Sequence, residues 1–170
     1  MLTRRRILAL APAAFVAGCT ATVPPSITAT DTTPEHLTTG QILAQINAVR
    51  AANGVRPWSY NPRLAAAART QADLMASKDQ LSHNLGVTLR ERVTNAGYEG
   101  AVGENVAGGQ RTLEAAIQGW LASPGHRSTL LSTKFVEFGL AVSRGAKKKE
   151  GYGVYWALIA GGSFEAWKVT

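Results

Sequence analysis

The stretch Tyr152–Ala160 constrains the fold more than any other part of the chain. Read with a two-residue period, one face carries Tyr152, Val154, Trp156 and Leu158, and the other carries Tyr155, Ala157 and Ile159. A strand that is apolar on both faces has to be covered on both. Phe135–Ser143 is a second strand, with Val136, Phe138, Leu140 and Val142 on one face. The basic loop Arg144–Gly151 then joins the two as a hairpin. Further strands are expected near Ala101–Ala107 and Phe164–Val169.

Helices to cover such a sheet precede it. The first runs from Thr39 to Asn53, with Ile42, Ile46 and Val49 on one face and Gly54 as its stop. Asn61-Pro62 opens the second as N-cap and first helical residue, with a stripe of Leu64, Ala68, Gln71 and Met75. The third spans Thr88–Ala96, with Leu89, Val93 and Ala96 inward. Thr112 caps the fourth, whose stripe is Leu113, Ala116, Ile117, Trp120 and Leu121, and Pro124-Gly125 ends it. Helices on either side of a small antiparallel sheet make an α+β protein, a three-layer α/β/α sandwich. Trp58, Trp120 and Trp156 are expected in its core.

The N-terminus reads as an address. Arg4, Arg5 and Arg6 precede the apolar run Ile7–Ala17, whose 11 residues reach only about 16 Å as a helix, roughly half a bilayer core. Val16-Ala17-Gly18-Cys19 resembles the lipobox of bacterial lipoproteins. That resemblance implies cleavage before Cys19 and lipidation of its thiol, which makes Cys19 the anchor to a membrane. Thr3-Arg4-Arg5-Arg6 also resembles a twin-arginine export signal, so the export route stays open between that and the general secretory path. Residues 1–18 are thus the signal peptide, 19–37 a Thr/Pro/Ala-rich tether and 38–170 the domain. Cys19 is the only cysteine, so the exported domain has no internal disulfide and must be held by its core. By resemblance to other lipoproteins, Thr20 rather than Asp after Cys19 implies the outer membrane if the cell is Gram-negative.

The net charge of +7 includes the three signal arginines; without them 15 basic and 11 acidic residues leave +4. Lys147-Lys148-Lys149 supply much of this at one loop tip, either as a solvated turn or as a contact for anionic lipid or wall polymer. No motif suggests nucleic acid as a partner.

Three motifs about twenty residues apart carry the candidate chemistry: Leu81-Ser82-His83, Gly103-Glu104-Asn105, and Trp120 followed by Ser123-Pro124-Gly125-His126-Arg127. With Ile46-Asn47-xx-Arg50, Asn53-Gly54-Val55, Asn61-xx-Leu64, Arg92-Val93, Gly97-Tyr98 and Gly139-Leu140-Ala141, their order resembles a bacterial member of the CAP superfamily. That superfamily comprises cysteine-rich secretory proteins, antigen 5 and plant pathogenesis-related proteins. The resemblance covers about residues 40–160 and implies the same α/β/α sandwich (the CAP or SCP fold), with a cleft. In eukaryotic members two histidines and two glutamates line that cleft, and zinc or magnesium has been associated with it. Carried over, His83 matches the first histidine and Glu104 the first glutamate. His126 stands in the motif that bacterial members use around the second half of the site. Ser123 stands where the second glutamate is expected, three residues after Trp120.

His83, Glu104 and His126 are the ligand types of an open zinc site, with His83 and His126 as the imidazole ligands and a fourth position left for water. Without metal, a His–Glu pair is a candidate general acid and base. No recognised hydrolase signature supports either route, and Ser123 and Ser128 lie near His126 without a motif that activates them. Each residue also has a purely structural reading: His83 capping a helix, Glu104 bonding backbone in a turn, His126 anchoring a loop. His36, in the tether, is expected to be uninvolved. The sequence therefore supports an exported, lipid-anchored envelope protein whose cleft binds a divalent metal, a lipid-like small molecule or a peptide. A hydrolase acting on peptide or cell-wall material, and an extracellular module that captures an envelope protein through its surface loops, are the competing readings.

Overall fold

The computed structural model describes residues 31–146 and 151–168. Cys19, the signal segment, the tether up to Thr30 and Lys147–Lys149 lie outside the described residues. Five α-helices and four strands follow one another: α1 (Thr39–Ala52), β1 (Ser59–Tyr60), α2 (Pro62–Lys78), α3 (Leu89–Asn95), β2 (Ala101–Gly108), α4 (Leu113–Ala122), α5 (Pro124–Leu130), β3 (Glu137–Arg144) and β4 (Val154–Gly162). A short 3-10 helix, Phe164–Trp167, comes last. Among the described residues no helix is long and apolar enough to cross a membrane.

Local chemistry sets the helix starts. Thr38 with Gln41 and Thr88 with Glu91 form reciprocal capping boxes at α1 and α3. Asn61 accepts from the Arg63 and Leu64 amides with Pro62 behind it, and Thr112 accepts from Ala115.

The sheet order is β1-β3-β4-β2. β4 is central and every one of its residues is buried, as its two apolar faces require. Trp156, Leu158 and Ala160 face α1, α4 and α5, while Tyr155, Ala157 and Ile159 face α2 and α3. The β3–β4 hairpin is antiparallel, with Leu140 opposite Leu158, and β2 runs antiparallel along the other side of β4. The three-layer sandwich and the core positions of Trp58, Trp120 and Trp156 are as expected.

Four expectations need correction. The sheet is mixed rather than antiparallel: Ser59-Tyr60 pairs in parallel with Glu137-Phe138. Two residues are too short to show a period, so nothing in the sequence marks β1 as a strand. Residues Phe164–Trp167 form a 3-10 helix and not a fourth long strand; Ser163 caps it, and Phe164 and Trp167 are half exposed. Pro124-Gly125 does not simply end a helix. It ends α4 and starts α5, because proline at the first helical position needs no N–H partner. The apolar alternation also overreaches at two strand ends: Val136 and Tyr152 lie outside β3 and β4 and are exposed.

Residues 31–37, placed in the tether by composition, lie against the domain. Thr32 is buried and its carbonyl accepts from the Leu113 amide (3.2 Å), while Glu35 pairs with Arg144. His36 is exposed and sits 3.8 Å from Asp31.

One buried cation locks α1 to the rest. Arg50 continues the Ile42–Ile46 face and is 1% exposed. Its guanidinium donates to the carbonyls of Arg56 (2.8 Å), Leu130 (2.6 Å) and Ser132 (3.1 Å) and lies 3.8 Å over the Trp58 ring. It thereby satisfies the C-terminal end of α5 with a donor from another helix.

Candidate functional site at the edge of the sheet

β2 is an edge strand, and its alternating side chains point to opposite layers. Val102 and Val106 pack with the α2/α3 layer, and Ala101 and Ala107 with the α1/α4 layer. Glu104 therefore faces α2 and α3, and Asn105 faces α4 and α5.

On the first side stands a buried ion pair. Glu104 is 3% exposed at its side chain and Arg92 is 0% exposed. Arg92 reaches from α3 and donates to Glu104 Oε1, to the Val87 carbonyl (2.8 Å) and to the His83 carbonyl (3.3 Å). The second carboxylate oxygen, Oε2, lies 2.9 Å from His83 Nδ1. His83 sits in the loop between α2 and α3. Gln71, on the buried face of α2, donates to the Ser82 carbonyl and holds that loop down. The His83 side chain is 56% exposed, and its Nδ1 is the ring atom tied to Glu104.

On the second side, α5 carries His126. Asn105 donates to the His126 carbonyl (2.9 Å) and fixes the start of that helix against β2. The two imidazoles meet past the edge of the strand, with ring centroids 6.0 Å apart and planes tilted by 46°. The fold thus brings together all three residues singled out from the sequence. It does not array them as three equal ligands: Glu104 is turned to Arg92 and His83, and among the described residues no group of three His, Cys, Asp or Glu side chains is placed to hold a metal. His126 belongs to a helix rather than to an anchoring loop, and Ser123 is the N-cap position of that helix without a side-chain cap bond.

Arg92 is the residue the sequence reading left without a role. Its signal was present: it lies three residues after Leu89 and beside Val93, on the inward stripe of α3. A cation on a buried stripe has to find a carboxylate or several carbonyls.

The two imidazoles differ electrostatically. The hydrogen bond to Glu104 raises the pKa of His83 against the opposing effects of burial and Arg92. Burial and the neighbouring His83 lower that of His126. A histidine whose folded pKa is raised adds stability that is full below its unfolded value, about 6.5, and is lost as pH rises through the folded value. The groups that face His83 are Glu104 from β2, Arg92 from α3 and His126 from α5. His83→Gln should therefore lower Tm more at pH 5.5 than at pH 8.5. Thermal melts at the two pH values check this, and an equal loss at both would mean that protonation of His83 adds nothing to folding.

An α/β/α sandwich with two imidazoles bracketing a Gly-Glu-Asn edge strand defines a CAP-type domain. The cysteine-rich secretory protein (CAP) family profile matches residues 43–159, more than half of the chain, and the protein belongs to that family. It is 30% identical over 104 residues to YkwD, an uncharacterized protein of Bacillus subtilis, covering 59% of this chain and 40% of YkwD. It is also 30% identical over 108 residues to YlbC, an uncharacterized membrane protein of the same bacterium, covering 61% of this chain and 31% of YlbC. The chain thus spans well under half of either relative. Among solved structures it resembles an extracellular SCP-domain protein of Bacillus anthracis (TM-score 0.63, 24% identity, 76% of this chain and 43% of that one). It also resembles an outer surface protein of Borrelia burgdorferi (TM-score 0.62, 19% identity, 72% and 90%).

Proposed function

We propose that this protein is an exported, membrane-anchored binding domain of the cell envelope, whose His83–His126 pair holds a divalent cation such as zinc. The observation that carries this reading is the state of Glu104. Both of its oxygens are engaged, one by Arg92 and one by His83 Nδ1. A carboxylate behind an imidazole fixes the ring and its tautomer and leaves Nε2 as the donor. Two rings sharing a zinc at about 2.0–2.1 Å per nitrogen have centroids roughly 5–6 Å apart, so the donor set fits a two-imidazole site, with Glu104 as the support of one ligand rather than a ligand itself. A bound ion would supply an electrophilic position for a carbonyl or carboxylate of the ligand. The chain's own contribution is to orient His83 through Glu104, to neutralise that carboxylate with Arg92 and to hold His126 opposite through Asn105. The same engagement of Glu104 favours binding over hydrolysis, since neither of its oxygens is turned toward a substrate.

Export and anchoring rest on the signal-like N-terminus ending at Cys19, and on similarity to proteins described as extracellular or outer-surface. Zinc content and Tm of the full chain in detergent, with and without chelator, test the site. Stoichiometric zinc is expected, lost in His83→Ala and in His126→Ala and weakened about 10–100-fold in Glu104→Gln. Zinc retained by the double histidine variant, or none bound by the wild type, would reduce the cluster to a structural network.

A further inference from the structure

The two ends of the sheet differ in what they carry. β4 runs from Val154 to Gly162, about 27 Å. At its start, Val154 stands opposite Arg144, which pairs with Glu35, and the Thr32 carbonyl accepts from the Leu113 amide nearby. Residue 31, where the described chain begins, is at that end. Past the other end of β4, Trp167 of the 3-10 helix lines an open groove of about 610 Å³. Arg127 and Ser128 of α5 and Ser132, Thr133 and Lys134 of the loop before β3 line it too.

These walls are fixed from beneath. The buried Arg50 holds the carbonyls of Leu130 and Ser132, the Lys134 amide donates to Ser132 Oγ (3.2 Å), and Arg127 donates to Asn53 Oδ1 (3.0 Å). Groups already held in place lose little freedom when a ligand arrives.

The chemistry of the groove selects its occupant. Among the described residues, two cations line it and no carboxylate does. Glu165, the acid of the 3-10 helix, is paired with Lys168 (2.7 Å). Trp167 packs on Phe135 at 5.4 Å between ring centroids, yet stays 45% exposed. A half-wet indole offers a flat apolar surface, which matches the C–H face of a sugar ring. Hydroxyls match the sugar's own hydroxyls, and Arg and Lys match acid groups. A bilayer fits less well. Arg90 lies 5.5 Å over the exposed Phe164 and Lys134 lies 4.4 Å over Trp167, so seating these aromatics in hydrocarbon would draw two cations in with them. On the anchored reading above, on which this one step rests, the groove is also at the end of the domain away from the anchor junction.

We propose that this groove binds an acidic polysaccharide of the envelope, with Trp167 packed on a sugar ring and Arg127 and Lys134 paired with its carboxylates.

The probe is polygalacturonate, titrated into the full chain in detergent with chelator present, beside polyglutamate, an acidic polymer without sugar. Polygalacturonate should bind at least about ten-fold more tightly than polyglutamate, and more weakly as salt rises from about 50 mM to about 300 mM. Trp167→Ala should weaken binding at least about five-fold, and Trp167→Phe much less. Arg127→Gln with Lys134→Gln should cost at least about ten-fold. Arg111→Gln with Arg144→Gln, a pair at the other end of the sheet, should cost less than about two-fold. Tm is read for every variant, so that each loss belongs to a folded protein. The proposal is overturned if polygalacturonate binds no more tightly than about 1 mM, or if polyglutamate binds equally. It is also overturned if folded Trp167→Ala binds like the wild type, or if the pair at the other end loses as much as the groove pair. Vesicles of phosphatidylcholine and phosphatidylglycerol that bind through Trp167 while the polymer does not would overturn it in favour of a membrane. The mass of the Cys19 peptide reports the anchor separately. Polymer binding by a chain without lipid on Cys19 would sink the anchored reading alone, and a lipidated chain that ignores the polymer would sink this proposal alone.

Discussion

Glu104→Ala should destabilise the fold by about 3–5 kcal/mol, because it leaves the Arg92 guanidinium buried without its counter-charge. Arg92 is fully enclosed between α3 and β2, and the two carbonyls it also reaches, Val87 and His83, cannot neutralise it. The loss should appear as a fall in Tm on the order of 10 °C. Arg92→Ala should cost a similar amount by stranding the carboxylate. The double change Glu104→Gln with Arg92→Met should recover much of either loss, since a buried pair replaced by neutral groups of similar volume is often no less stable than the pair itself. Urea melts of the single and double variants measure this directly. A loss below about 1 kcal/mol for Glu104→Ala would place the pair among solvated ion pairs, which contribute little. The wedge formed by Arg92, Glu104 and His83 would then not be the rigid support that the cation reading requires.

Gly139→Ala should be at least as damaging, for a reason that involves no charge. Gly139 lies in β3 directly beneath the start of α2. A methyl group there would fall 2.0 Å from the Ala65 nitrogen and 2.3 Å from the Leu64 carbonyl carbon, both main-chain atoms. Backbone cannot rotate out of the way, so α2 would have to lift from the sheet and open the contacts of Leu64, Ala67 and Ala68. The expected cost is about 3 kcal/mol or more, the upper end of overpacking effects. Gly125→Ala is the matched control. It lies in the first turn of α5 with nothing within 4 Å of the added carbon, and alanine there should be neutral or stabilising by up to about 1 kcal/mol. If Gly139→Ala unfolded at the same urea concentration as the wild type, helix α2 would not be seated at this distance.

Much of the architecture was legible because single elements carry their own periodic signal. The two-faced apolar run that became β4 demanded helices on both sides; the stripe Leu64–Ala68–Gln71–Met75 is buried as read, and of the stripe Leu113, Ala116, Ile117, Trp120 and Leu121 all but the half-buried Leu121 are. Two elements escape that signal. Ser59-Tyr60 becomes a strand only because β3 lies beside it in parallel, and Phe164–Trp167 turns into a 3-10 helix capped by Ser163. The first leaves no period in the local sequence, and at the second the expected strand gives way to a capped turn.

The candidate site divides in the same way. Sequence order alone named His83, Glu104 and His126 and placed them in the CAP pattern, because motif identity and spacing survive without knowledge of distance. What they do to one another was decided by the tertiary structure. β2 is an edge strand, its side chains alternate between layers, and the loop after α2 and the helix after Pro124 reach around it from opposite faces. Only that arrangement turns Glu104 away from the open side and onto Arg92 and brings two imidazoles to 6.0 Å. Hydrogen bonding and charge pairing act over a few ångströms between residues far apart in the chain, and no pattern along the chain encodes which of them will be neighbours.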